Sequence, residues 1–210
     1  MENNLDHLKS ENYASIDALN VYQYGSRVYG THNDNSDYDM IVVVPEIKPV
    51  FDGDKSINMR TAGVDYTIYG IKEFQDLINE HEISALECLF LSTDKVVKDT
   101  HKFDFTLDLS KLRHSLSTKS SNSWVKAKKK LTVKKDFDRG IALKSLFHSL
   151  RIPIFGIQIA KHGKIVDYTS ANHFYQQMLL YSRSDWEFYK NKYQPIYNSI
   201  MSEFRKVAPK

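Results

Sequence analysis

The residue types best suited to chemistry lie together in one stretch, Tyr24 to Val44, which reads YGSRVYGTHNDNSDYDMIVVV. Gly25-Ser26 follows a short β-prone run. A Gly-Ser turn at a helix start offers backbone N–H groups and one hydroxyl to an anion such as phosphate. Such a pair is also among the commonest structural turns. Ser36-Asp37-Tyr38-Asp39 then opens an apolar run. Side chains alternate along a strand, so Asp37 and Asp39 share one face and Tyr38 takes the other. Two carboxylates about 6–7 Å apart along a strand repel unless a cation sits between them. Their oxygens suit Mg²⁺ or Mn²⁺, ions that bind nucleotide phosphates at the same time. A bare Asp-x-Asp is more often an exposed strand start with two solvated carboxylates. Asp65, in GVDYTIY, falls by pattern on a neighbouring strand, where a third acid would complete a cage for two metal ions. His32, in the loop before Asp37, is within reach of a nucleotide held there, and no histidine spacing resembles a zinc site.

The elements that must position these residues read as α/β in the first half. Leu5 to Leu19 has loose helical spacing, and Val21 to Tyr24 is β-prone. Tyr38 to Val44 is a β-branched run stopped by Pro45, the pattern of a buried strand. A further strand begins near Asn58, and Gly63 to Tyr69 alternates as another. Lys72 to Glu80 is a helix by pattern, followed by Ser84 to Leu91 with Ser84 and Glu87 in capping-box spacing. The second half is mostly helical: Lys111 to Lys130, loosened around SLSTKSSNS; a helix capped by Asp136 or Asp138, running past Pro153 to Gly163; then Ala171 to Tyr181 and Asp185 to Val207. The expected division is 1–110 as the α/β domain and 111–210 as a basic helical domain.

The ordered set of strand, Gly-Ser, Ser-Asp-x-Asp, apolar strand and an acid on another strand resembles the nucleotidyltransferase superfamily that includes DNA polymerase beta. Gly25, Ser26, Gly30, Ser36, Asp37 and Asp39 match its minimal motif, with Ile41 to Val44 as the apolar tail. Val64 to Phe90 is similar to the acid-bearing strand and following helices of a bacterial and phage branch associated with RNA ligases and RNA repair. The resemblance implies a small mixed-sheet, polymerase-beta-like palm followed by an α-helical module. It implies that Asp37, Asp39 and Asp65 hold Mg²⁺ or Mn²⁺, and that Gly25, Ser26 and Ser36 grip the phosphates of an NTP. An acceptor hydroxyl then attacks the α-phosphorus in line and pyrophosphate leaves. On the helical side, Lys144, His148 and Arg151 lie at i, i+4 and i+7, one face of a helix, and would bind the triphosphate; by pattern alone they equally form a solvated basic stripe.

Charge is divided unevenly. Residues 1–110 hold 9 Lys/Arg against 20 Asp/Glu, a net of −11, and residues 111–210 hold 20 against 6, a net of +14. The basic half suits a polyanionic acceptor, or simply helps the halves dock. Lys126, Lys128, Lys129, Lys130, Lys134 and Lys135 fall within ten residues and would contact RNA phosphates, or form a solvated face with Trp124 in the core. An RNA 3′ end, tRNA included, is the expected acceptor; a protein hydroxyl (AMPylation), a small molecule, or nucleotide and RNA binding without turnover are the alternatives. An aminoglycoside, being cationic, fits the basic half poorly. The polar start, the absence of a long apolar run and the single Cys88 exclude a signal peptide, a membrane span and a disulfide, and fit the cytoplasm.

Overall fold

The structure is a computed structural model, described for residues 17–47, 55–61 and 63–209. The helix expected over Leu5 to Leu19 lies largely outside these residues. The chain divides into two compact units, one comprising residues 1–79 and 84–106, the other 80–83 and 107–210.

The first unit is built on a five-stranded sheet with spatial order β3-β4-β2-β1-β5. Its strands are β1 (Asn20–Tyr24), β2 (Tyr38–Val44), β3 (Ile57–Thr61), β4 (Val64–Gly70) and β5 (Val96–Asp99). The pair β2–β4 is parallel and the other neighbours are antiparallel, so the sheet is mixed. Its helices are α1 (Ser26–Tyr29), α2 (Ile71–Asn79) and α3 (Ile83–Leu89). Strand β2 lacks polar alternation because both faces are covered: Val42 and Val43 are each fully buried although they point to opposite sides. Val43 packs with Ile41, Tyr22, Phe74, Ile78 and Cys88, whereas Val42 packs with Met40, Val44, Tyr66 and Ile68.

One expectation requires correction, and one element was not expected. Ser84 lies within α3, which begins at Ile83, and Glu87 is buried rather than closing a capping box. Strand β5 has no forecast in the sequence; it is a four-residue edge strand, VVKD, held to β1 through Asn20, whose amide bonds Asp99 and the His101 carbonyl.

The second unit contains α4 (Leu109–Thr132), α5 (Arg139–His162), α6 (Asn172–Leu179) and α7 (Trp186–Val207). Three aspartates start the long helices. Asp108 accepts from the Ser110 and Lys111 amides, Asp138 from Ile141, and Asp185 from Phe188. Helix α4 is continuous through its serine-rich centre, contrary to the expected loosening, because Ser120 donates inward to the Ser149 carbonyl of α5 and the helix packs there through Leu112, Leu116 and Ala127. Pro153 is accommodated inside α5, which stops at Gly163 in the left-handed conformation (φ 72°). Gly156 permits close approach of three helices: a Cβ there would lie 2.6 Å from the Phe204 ring of α7 and 3.0 Å from Leu116 of α4. Trp124 belongs to the aromatic core, 4.9 Å from Tyr197 and 5.3 Å from Trp186 between ring centroids.

Candidate active site

Strand β1 delivers the chain to Gly25, which turns sharply with φ 76° and ψ −151°, a region open essentially to glycine alone. Helix α1 follows at once. Its first internal hydrogen bonds run from the Val28 and Tyr29 amides to the Gly25 carbonyl, so the Ser26 and Arg27 amides precede the ladder. This short helix is held by side chains. The Tyr29 hydroxyl donates to the buried Glu87 carboxylate of α3. The Arg27 guanidinium donates to the Ser36 carbonyl at 2.8 Å and lies 3.8 Å above the Tyr38 ring. Ser36 itself closes the preceding turn: its hydroxyl accepts from the Asn33 amide at 2.9 Å. Loop, helix and strand start are therefore tied to one another before any ligand binds.

The acids meet at one corner of the sheet. In the parallel β2–β4 pairing, Asp39 is directly opposite Asp65, so both project to the same face. Asp39 is also paired with Tyr24, the residue before the glycine turn. The Asp39 carboxylate fills the space a side chain would need at Gly25, since a Cβ there would fall 2.1 Å from Asp39 Oδ2. Gly25 is thus a cradle for a carboxylate, a role beyond its turn geometry.

The third acid is joined through a residue that no local pattern singles out. Arg60, on β3 and opposite Asp65 in the antiparallel β3–β4 register, places Nη2 2.8 Å from Asp37 Oδ1 and Nε 3.4 Å from Asp65 Oδ1. One guanidinium therefore spans Asp37 and Asp65. All three side chains are substantially exposed, at 63% for Arg60, 45% for Asp37 and 40% for Asp65, so these pairs contribute little to stability. Among the described residues no group of three or more His, Cys, Asp or Glu side chains has metal-holding geometry. The donor set nonetheless suits a hard divalent cation: carboxylate oxygens from two adjacent strands, solvent access, and a cation already lying between two of them.

The residues expected to bind phosphate from the helical region form a graded rather than uniform face. Lys144 is exposed. Arg151 is buried, with its guanidinium 4.9 Å from the Phe155 ring. His148 is pushed down to about 3, chiefly by burial and then by the charges of Arg151, Lys126 and Lys144, so its imidazole is neutral at physiological pH. Of the lysine cluster, Lys126, Lys128, Lys129, Lys134 and Lys135 are exposed and Lys130 is partly covered, while Lys129 pairs with Asp136 at 3.0 Å.

Residues missed by sequence reasoning are Arg60, Glu87 and Tyr29. Arg60 acts across a strand register and Glu87–Tyr29 spans 58 residues, so neither leaves a local signal. No helix among the described residues is long and apolar enough to cross a membrane.

Residues 5–105 match the family model for the nucleotidyltransferase domain. No curated protein matches the chain. Among solved structures, a nucleotidyltransferase-like protein from Exiguobacterium sibiricum 255-15 is similar at 13% identity and a TM-score of 0.36, covering 96% of this chain and 76% of that one.

Proposed function

From the match of residues 5–105 to the nucleotidyltransferase domain family, we propose that this chain transfers a nucleoside monophosphate from an NTP to the 3′ hydroxyl of an RNA, releasing pyrophosphate. The observation that carries this reading is the in-register placement of Asp39 and Asp65 beside the Gly25 cradle, with Asp37 bridged to Asp65 by Arg60. In this reading Asp37, Asp39 and Asp65 are the residues that would hold Mg²⁺ or Mn²⁺. When bound, such an ion would neutralise phosphate charge and acidify the attacking hydroxyl.

Every other part of the task falls to the protein. The Ser26 hydroxyl and the Ser26 and Arg27 amides, held by the Tyr29–Glu87 and Arg27–Ser36 contacts, take the terminal phosphates of the NTP. Arg60, which spans Asp37 and Asp65, would be free to face the phosphates once those carboxylates held a cation. The acceptor oxygen forms its bond to the α-phosphorus as the bond to the bridging oxygen of pyrophosphate breaks, and the hydroxyl proton passes to solvent, which reaches both exposed acids. Positioning and charge supply the rate enhancement, with no covalent enzyme intermediate. The choice of RNA as acceptor is supported by the net charge of +14 over residues 111–210 and by the exposed lysines of α4 and the turn after it.

The test is direct transfer. The protein is incubated with Mg²⁺ or Mn²⁺, each labelled NTP in turn, and a mixture of RNA, DNA oligomers and unrelated protein, beside an Asp37→Ala/Asp39→Ala variant. Label on RNA, absent in the variant, is the expected outcome. Label confined to protein replaces the RNA acceptor with a protein hydroxyl, and NTP binding without transfer removes the catalytic reading.

A further inference from the structure

The second unit contains a cavity of about 490 Å³ whose lining comes from α4, the end of α7 and Glu80. Its cationic residues are Lys111, Arg113 and Arg205, with His114 beside them. Three hydroxyl residues, Ser110, Ser117 and Thr118, share the wall. Ser110, Arg113, His114, Ser117 and Thr118 fall at i, i+3, i+4, i+7 and i+8, one continuous face along the first turns of α4. The opposite face carries Leu112 and Leu116, both fully buried, and it is this packing that turns the polar stripe outward. Arg205 is brought to the cavity by its neighbour Phe204, buried at the close helix approach around Gly156.

Two features distinguish this cavity from an ordinary solvated basic surface. First, its two arginines lack counter-charges among the described residues. Glu80 is the single carboxylate of the lining and lies 4.0 Å from Lys111 Nζ; among the described residues neither Arg113 nor Arg205 has an ion pair. Second, the Ser117 hydroxyl is buried and has no hydrogen-bond partner among the described residues, although an unmet buried hydroxyl is costly. The first-turn amides of α4 are already taken by Asp108, so any ligand here would be held by side chains. Arginine forks, a lysine and hydroxyl donors are the groups that recognise phosphate oxygens, and the lining offers no Phe, Tyr or Trp on which a base would stack.

We propose that this cavity is a phosphate-binding site, taking an oligophosphate or a terminal phosphate through Arg113, Arg205, Lys111 and the hydroxyls of Ser117 and Thr118. The proposal does not depend on the transfer reaction: none of these residues belongs to the acid corner, and binding here needs no divalent cation.

The test uses the full chain at physiological ionic strength with a chelator present, and titrates sodium tripolyphosphate by calorimetry. One saturable site is expected, weakened about tenfold or more in Arg113→Gln/Arg205→Gln, the scale of losing two charge-assisted contacts. Arg205→Gln alone, an exposed substitution, gives a smaller loss and guards against misfolding of the double variant, whose melting temperature is checked. Glu80→Gln should bind more tightly. Asp37→Ala/Asp39→Ala and Lys128→Gln/Lys129→Gln should bind as the wild type does, which separates this site from the acid corner and the lysine cluster. A second arm compares one short RNA bearing a 5′-phosphate with the same RNA bearing a 5′-hydroxyl. A preference for the phosphate that disappears in the double variant assigns the site to nucleic-acid ends, and equal binding of the two RNAs assigns it to free oligophosphate. Absence of saturable tripolyphosphate binding, or equal affinity in wild type and double variant, overturns the proposal.

Discussion

Replacing Gly25 by alanine tests the link between backbone and acid corner most directly. The added Cβ would stand 2.1 Å from Asp39 Oδ2 and 2.9 Å from its Cγ, inside the 3.0 Å that real Cβ atoms essentially never breach. The carboxylate must therefore withdraw by about 1 Å or rotate away, and misplacement on that scale costs about 10²-fold in rate. The backbone adds its own cost, about 1–3 kcal/mol for a side chain at φ 76°. Gly163→Ala is a milder control: at φ 72° and ψ −1° it sits in the left-handed helical region with nothing within 4 Å, so it bears a smaller backbone strain and no collision. Gly25→Ala should lose more stability than Gly163→Ala in urea unfolding, and only Gly25→Ala should lose nucleotidyl transfer, by about 10²-fold or more. A folded Gly25→Ala protein that transfers within about threefold of wild type would refute the account of Asp39 as a carboxylate positioned by this glycine.

Arg60→Ala should change stability by less than about 1 kcal/mol, because its partners are exposed, yet tighten Mn²⁺ binding measured by calorimetry; unchanged or weaker Mn²⁺ binding would show that the guanidinium does not compete with the cation. His148 supplies a pH signature. Its folded-state value of about 3 lies below the ordinary 6.5, so its neutral form supports the fold fully above pH 6.5 and that support drains away as the pH falls towards 3. At about pH 5 the loss should approach about 2 kcal/mol. His148→Gln should lose correspondingly less between neutral pH and pH 5 in urea titrations, and an identical decline in both proteins would contradict the buried neutral imidazole.

How much of this was legible in the sequence depends on how local each signal is. Strand β2 announced itself because YDMIVVV combines β-branched residues with a terminating proline, whereas Asp37, expected to share a strand face with Asp39, lies just before the strand begins at Tyr38. The long helices were readable from Asp138, Asp185 and Gly163, whose capping roles act within a few residues. Asp65 could be assigned to a strand, but its place opposite Asp39 belongs to the parallel β2–β4 register, which no spacing encodes. Arg60 was invisible for the same reason. Glu87 misled because its distance from Ser84 imitates a cap, while its true partner, Tyr29, is remote in the chain. The serines of α4 suggested a weak helix because the contact that overrides their propensity, the inward bond of Ser120 to the Ser149 carbonyl of α5, is tertiary.

The division of the chain has a consequence for how such a protein can be cut and recombined. The polypeptide leaves the first unit after residue 79, returns at 84 and departs again after 106, so three junctions, not one, separate the two units. Any fragment ending near 106 carries Glu80 to Ile83 away from the unit to which they belong, including His81, whose Nε2 accepts from the Asp108 amide. A single proteolytic nick or a single crossover between genes would leave both products incomplete, each missing or carrying a splinter of the other. Exchange of the helical region between relatives would therefore have to move the four-residue excursion along with residues 107–210, which makes the two units inherit together despite their separate cores.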